Sequence, residues 1–258
     1  MTVEELYAFL ERRLPRALSA EWDNDGLACL PAAHREVRRV LVSLDATEAA
    51  VERALTGGFD LLLTHHPLLF CGVKELTPAA TVPRKLLALA NGGVAAMSFH
   101  TRLDAAKGGV NDRLAALLGL FDVRPFAPEG EVPCGRIGQL QDSVSAKDFA
   151  DTVCRLLDIP AVTLAGGDKQ IKTVAVVGGE GGDFVNAARA EGADLFLAGR
   201  IGYHKMLDAA EEGLALIEAG HYATEFPICE TLAALVAEAD PAIATEIMNA
   251  PTIRTALR

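Results

Sequence analysis

The sequence predicts an α/β protein built from two similar halves, and three observations carry that expectation. Short apolar runs punctuated by Gly and Pro alternate with helical patterns along most of the chain. The connections are long enough to be crossovers, which favours parallel strands. A strand–helix–strand unit also recurs: a shift of 134 positions lays VLVSLDATEAAVERALTGGFDLLL over VAVVGGEGGDFVNAARAEGADLFL without a gap. Val40 falls on Val174, Val42 on Val176, Val51 on Val185, Ala54 on Ala188, Gly58 on Gly192 and Asp60 on Asp194. Identities in both strands and the helix make duplication a better account than a shared generic pattern.

The elements follow in order. Thr2 and Glu5 form a capping box that opens a helix with Val3, Leu6, Tyr7, Leu10 and Leu14 on one face. WDNDGL (22–27) supplies turn chemistry at Asp23, Asn24 and Gly26, and its Trp22, the only tryptophan, is expected to anchor the loop on the core. RRVLVSLDA (38–46) is a buried strand, TEAAVERALTGG a helix with a glycine stop, FDLLLTHH a second strand, and VPRKLLALANGG with VAAMSFH a further helix and strand. PFAPEGEVPCG (125–135) breaks the periodicity, so the main domain limit is placed there. The first domain then spans 1–124, with 228–258 returning to it, and the second spans 125–227. GGEGGD (178–183) sits between a strand and a helix; it matches no complete phosphate loop, and a tight turn is the expectation.

Composition bounds the function. The chain has 258 residues, half of them apolar, enough for a full core. No apolar stretch approaches the roughly 20 residues that span a bilayer, and the start lacks the basic-then-apolar order of a signal peptide. Five scattered cysteines without a C-x-x-C argue for a reducing cytoplasm and against a disulfide framework or zinc knuckle. A net charge of −11 opposes nucleic acid as a main partner, because such binding rests on Lys and Arg replacing counterions.

The chemistry begins at LLLTHHPLLF (61–70), where a strand ends in two of the chain's six histidines. Neighbours on a strand point to opposite faces, so His65 and His66 can serve one site only where the strand has ended, and Pro67 imposes such a turn. A second shift, by 121 positions, lays GGVAAMSFHTRLD over GLALIEAGHYATE, so that His100 meets His221 and Asp104 meets Glu225. Each half thus ends a strand with an imidazole followed four residues later by a carboxylate. His65, His66, Asp104, His221 and Glu225 offer three imidazoles and two carboxylates, a donor set suited to two neighbouring divalent ions among zinc, iron, manganese, cobalt or nickel. The bland account of any one histidine is a hydrogen-bonded core residue; the joint pattern favours metal.

THHP, SFHTRLDAAKGGVNDRLAALLGL (98–120), AGRIGYHKMLDAAEEG (198–213), GHYATEFP (220–227) and the early WDNDGL together resemble the motif series of the dinuclear-metal family of type 2 homologues of GTP cyclohydrolase I, the Nif3-like proteins. The resemblance covers nearly the whole chain. It implies two interlocked α/β domains with a metal site in the cleft between them, and a ring-shaped homohexamer. It also implies His65, His66, Asp104, His221 and Glu225 as metal ligands, with Glu225, or Asp104 as well, as a bridge and His100 nearby. Arg102 departs from the pattern, standing where Asn is common.

Such a pair of ions points to hydrolysis, and the resemblance implies a small, nucleotide-like substrate, with opening of the GTP ring as the family's namesake reaction. A phosphoesterase, or a non-enzymatic protein that stores, delivers or senses metal, fits the same ligands. His100 and His204 are candidates for proton transfer, or equally for orienting a ligand. Arg102, Lys107, Arg200 and Lys205 stand beside the motifs as phosphate-holding candidates, against their reading as solvated surface charges.

Overall fold

The computed structural model describes residues 1–31, 36–129 and 132–253. In chain order it contains α1 (Val3–Arg13), β1 (Gly26–Cys29), β2 (Arg39–Ser43), α2 (Glu48–Thr56), β3 (Leu61–Thr64), α3 (Thr81–Gly92), β4 (Ala95–Ser98) and α4 (Thr101–Ala105). Next come α5 (Val110–Leu117), β5 (Phe121–Glu129), β6 (Val132–Ser145), α6 (Ala146–Leu156), β7 (Thr163–Ala165), β8 (Gln170–Glu180), α7 (Val185–Ala190) and β9 (Leu195–Arg200). The last are α8 (Tyr203–Glu211), β10 (Ala215–Glu218), α9 (His221–Glu225), α10 (Ile228–Ala239) and β11 (Ala244–Met248). Met1–Ala106 and Ile228–Ala250 make one compact unit, and Lys107–Pro227 is the body of the other.

The first unit holds a five-stranded sheet in the order β1-β4-β3-β2-β11, parallel except for β1. The capping box forms as the sequence predicts: the Thr2 N–H donates to Glu5 Oε2 at 2.8 Å and the Glu5 N–H to Thr2 Oγ1 at 3.2 Å. Val3, Leu6, Leu10 and Leu14 are buried by that helix. Leu41, Leu62 and Ala96 pack on Val51 and Ala54 of α2 and on Leu86 and Leu89 of α3.

The second unit holds a six-stranded sheet in the order β5-β6-β8-β9-β10-β7. Its central strands are buried on both faces, as parallel strands covered by helices must be. Val174, Val176, Leu195, Leu197 and Ile217 face one core, with Phe149 and Val153 of α6. Ala175, Val177, Phe196, Ala198 and Leu216 face the other, with Ala188 and Met206. The Pro- and Gly-rich stretch 125–135 supplies parts of both strands of the β5–β6 hairpin, and its residues 130 and 131 lie outside the described residues.

The two units repeat one another bond by bond. Val40 pairs with Leu61 and Val42 with Leu63, and 134 positions on Val174 pairs with Leu195 and Val176 with Leu197. Asp60 Oδ2 accepts the Arg38 and Arg39 N–H groups at 2.8 and 2.9 Å; Asp194 Oδ2 accepts those of Lys172 and Thr173, both at 2.9 Å. The third strand departs from the expected shift of 121. Leu61 pairs with Ala95 and Leu195 with Ala215, so the strands correspond at 120. One extra residue, Gly220 with φ +89°, enters just before the second helix and moves the motif to 121. Consequently His100 caps α4 from outside, whereas His221 is the first residue of α9.

Candidate metal centre

Each unit presents its donors at the carboxyl ends of its parallel strands, where open α/β sheets place their ligands. In the first, β3 stops at Thr64, and the chain bends so that Thr64 Oγ1 donates to the His66 carbonyl at 2.7 Å and the His66 N–H to the Leu44 carbonyl at 3.0 Å. The bend brings the two rings together, with centroids 4.8 Å apart, as the strand-end argument requires. Each imidazole is oriented through Nδ1. His65 Nδ1 lies 3.0 Å from the Phe99 carbonyl, and His66 Nδ1 lies 2.7 Å from Asp45 Oδ1. His65 Nε2 stands 3.5 Å from Asp104 Oδ1 on α4. His100 joins them: one donor nitrogen from each of His65, His66 and His100 lies within 4.8 Å of the others.

In the second unit, the first turn of α9 places His221 Nε2 3.0 Å from Glu225 Oε2. Glu225 is buried, and its space exists because of two glycines in GGEGGD. At Gly179, φ is +67°, and a Cβ would overlap Glu225 Oε1 and stand 3.1 Å from His221 Cε1. The Gly179 N–H donates to Thr224 Oγ1 at 3.1 Å, and the Gly178 N–H to Asn111 Oδ1 at 2.7 Å. GGEGGD is therefore a strand-to-turn segment, as expected, and its close backbone approach also seats the Glu225 helix.

These donors fit a divalent ion. Two atoms each about 2.1 Å from one ion stand about 3.0–3.4 Å apart at octahedral to tetrahedral angles, close to the 3.5 Å of His65–Asp104 and the 3.0 Å of His221–Glu225. Anchoring Nδ1 on a carbonyl or carboxylate is what metal-binding histidines show, because it fixes the tautomer that offers Nε2. Zinc, iron, manganese, cobalt and nickel all accept this imidazole and carboxylate set.

Residues outside the predicted set orient it. Asp23 Oδ1 lies 3.1 Å from His100 Nδ1, and its Oδ2 accepts the Thr101 N–H at 3.0 Å and the hydroxyl at 2.5 Å. Burial would raise the Asp23 carboxyl, but the hydrogen bonds from His100 and Thr101 outweigh it and hold the pKa at about 2. An ordinary unfolded Asp titrates near about 3.9, so this stabilisation is complete above that pH and is lost as pH falls towards 2. The stability difference between the protein and Asp23→Asn is therefore expected to narrow between about pH 4 and pH 2, read from denaturant melts at each pH.

Arg102 is not a surface phosphate holder. Its side chain is fully buried, pairing bidentately with Asp25 at 2.8 and 2.9 Å and with Glu11 at 2.5 Å. Burial works against its charge, but the hydrogen bonds to Asp25 and Glu11 prevail and raise its pKa. Lys205 pairs with Asp183 at 2.5 Å, Arg200 lies 3.9 Å from Glu180, and Lys107 is exposed. His204 is exposed on the first turn of α8, edge-on to Tyr203, and belongs to no donor cluster among the described residues. Trp22 does not anchor its loop in the core: it is 54% exposed, and the buried residues there are Asp23 and Asp25. Asp45 and Asp23 carried a weak signal in the sequence, each being an acid beside a strand end or in a turn.

The model of the Duf34/NIF3 (NGG1p interacting factor 3) family matches residues 1–255. The chain belongs to the Duf34/NIF3 family. Among Duf34/NIF3-like relatives, the GTP cyclohydrolase 1 type 2 homolog of Streptomyces coelicolor is 34% identical over 92% of this chain and 86% of its own length. Its namesake in Clostridium perfringens is 31% identical over 88% of each. The crystal structure of a Staphylococcus aureus hypothetical protein superposes with a TM-score of 0.89 at 26% identity, covering 100% of this chain and 99% of that one. This Duf34/NIF3 chain thus has the family's two-sheet α/β fold, and among its described residues no helix is long and apolar enough to cross a membrane.

Proposed function

We propose that His65, His66 and Asp104 of the first unit and His221 and Glu225 of the second jointly hold two divalent metal ions, in a cytoplasmic hydrolase acting on a small, purine-nucleotide-like substrate. The observation that carries this is the anchoring of both doublet imidazoles through Nδ1, on Phe99 and Asp45, with Asp104 beside His65. The name GTP cyclohydrolase 1 type 2 homolog, borne by relatives, supports the purine nucleotide and a ring-opening hydrolysis.

Bound there, the ions would supply Lewis acidity and lower the pKa of water. The chain's own residues do the rest. Asp45 and the Phe99 carbonyl hold the doublet in one tautomer, and Glu225, buried and acceptor-only when ionised, would offer its carboxylate to the ions. His100, whose Nδ1 lies 3.1 Å from Asp23 Oδ1, is placed to accept and return a proton. No hydrogen bond to a described residue orients His204, so proton transfer is given to His100 alone.

Protein loaded with each candidate metal, assayed for product from GTP, other nucleotides and phosphoesters, tests the reading. Turnover should fall at least about 100-fold in Glu225→Gln, together with metal content by elemental analysis. Turnover of phosphoesters alone would make the chain a phosphoesterase, and metal retention without any turnover would make it a metal-binding or regulatory protein. Light scattering checks the homohexamer that the resemblance implies.

A further inference from the structure

The loop 22–25 divides its labour unevenly. Asp23 holds His100 and Thr101, Asp25 holds Arg102, and the Asn24 amide donates to the Leu69 carbonyl at 2.5 Å. Trp22 is 54% exposed. Phe70, on the segment that follows the histidine doublet, is exposed to the same 54%. Two large aromatic side chains half in water, side by side, are a stronger functional signal than a scattered exposed leucine.

Their placement is specific. The Trp22 and Phe70 rings lie 5.8 Å apart, centroid to centroid, and inclined at 51°. Both meet the His100 ring edge-on, at 6.0 and 6.1 Å. His100 in turn packs edge-on against His65 at 5.2 Å and His66 at 5.5 Å. A continuous wall of rings therefore runs from solvent to the metal donors. Its backbone is fastened as well: Arg16 donates to the Asp25 and Asp23 carbonyls at 2.7 and 2.9 Å, and Asn24 ties the Trp22 loop to the Phe70 segment. Rings fixed in advance lose little freedom when a ligand arrives.

We propose that Trp22 and Phe70 form an aromatic platform that takes the flat heteroaromatic ring of a purine-type ligand and holds it beside the His65–His66 doublet. The proposal rests on the hydrolase reading above for the chemistry of the ring. Stacking on a fixed aromatic face suits any base, since every base has a π-face. A chain with a net charge of −11 gains little from attracting phosphate at long range, which leaves ring contact to supply affinity. Trp22 and Phe70 are positioning residues here, and the reacting atoms are left to the histidines and carboxylates.

Trp22 is the only tryptophan, so intrinsic emission reports on the platform directly. Full-length metal-loaded protein is titrated with guanosine, GMP and ribose 5-phosphate. Guanosine and GMP should quench the emission, and ribose 5-phosphate at the same concentration should not. By calorimetry, Trp22→Leu and Phe70→Leu should each weaken guanosine binding by about 10- to 100-fold, with metal content and melting temperature unchanged, while Trp22→Phe stays within a few-fold of the parent. Equal guanosine affinity in the Leu variants overturns the proposal. So does an emission already blue-shifted and inaccessible to acrylamide before ligand is added, which would mean that another copy of the chain covers the platform. Ring binding that depends on Trp22 in protein retaining no metal supports the platform and defeats the hydrolase reading; loaded protein that turns over GTP while Trp22→Leu and Phe70→Leu leave its guanosine affinity unchanged does the reverse.

Discussion

Asp25→Ala is expected to destabilise the protein by about 3–5 kcal/mol, because it leaves the Arg102 guanidinium buried without its bidentate partner. Both side chains are fully buried, and Asp25 additionally accepts from Arg16 at 2.6 Å and from the His100 N–H at 2.9 Å. Glu11, the Leu14 carbonyl and Tyr7 would remain to Arg102, none of them with the bidentate geometry of Asp25. For a chain of this size the loss corresponds to a fall in Tm on the order of 10 °C. A double variant, Asp25→Leu with Arg102→Met, should recover much of the stability, since exchanging a whole buried pair for apolar groups is far cheaper than orphaning one charge. Thermal melts of the three proteins decide it; a single variant that melts like the parent would show that water reaches Arg102 and that the pair contributes little. The same substitution should loosen His100, whose backbone N–H loses its acceptor.

Gly179→Ala is expected to lower metal affinity at the Glu225 position by about 10- to 100-fold, the size seen when the partners of a ligand are disturbed. Two effects coincide there. The left-handed φ of +67° costs an L-residue roughly 1–2 kcal/mol wherever it occurs. The added methyl would also overlap Glu225 Oε1, so the carboxylate must move. Gly192 separates the two, having φ +80° with nothing within 4 Å of a built Cβ. Gly192→Ala should therefore show the stability loss and keep its metal, whereas Gly179→Ala loses both. Calorimetric titration with a single metal, alongside denaturant melts, reads the contrast. Equal metal affinity in the two variants would remove Gly179 from the account.

Much of this was legible from sequence because it is written in local periodicity. The apolar runs 40–42 and 61–63, repeated 134 positions on, marked the parallel strands at the centre of both sheets, and the apolar run stopping at His65–His66–Pro67 marked the strand-end corner. What failed depended on contacts between distant residues. Arg102 looked like surface charge because hydrophilicity is a local property; its burial is set by Asp25, 77 positions away, and Glu11, 91 away. Trp22 erred in the opposite direction, an apolar residue that its neighbours hold outward. The extra residue at Gly220 was invisible because one shift of 121 fits the motif while the strand ladder obeys 120. Gly179 read as turn chemistry, since nothing local reveals that a carboxylate occupies the space of its missing side chain.

The return of α10 and β11 to the first sheet has a consequence for biosynthesis. β11 lies parallel to β2, with Ala244 opposite Arg39 and Met248 opposite Ser43. While the ribosome is still making the second unit, β2 shows a bare row of amide and carbonyl groups on that side, a template for pairing with any other nascent chain. The first unit to emerge is thus the last to close, and a polypeptide truncated before Ala244 should depend on chaperones to stay out of aggregates.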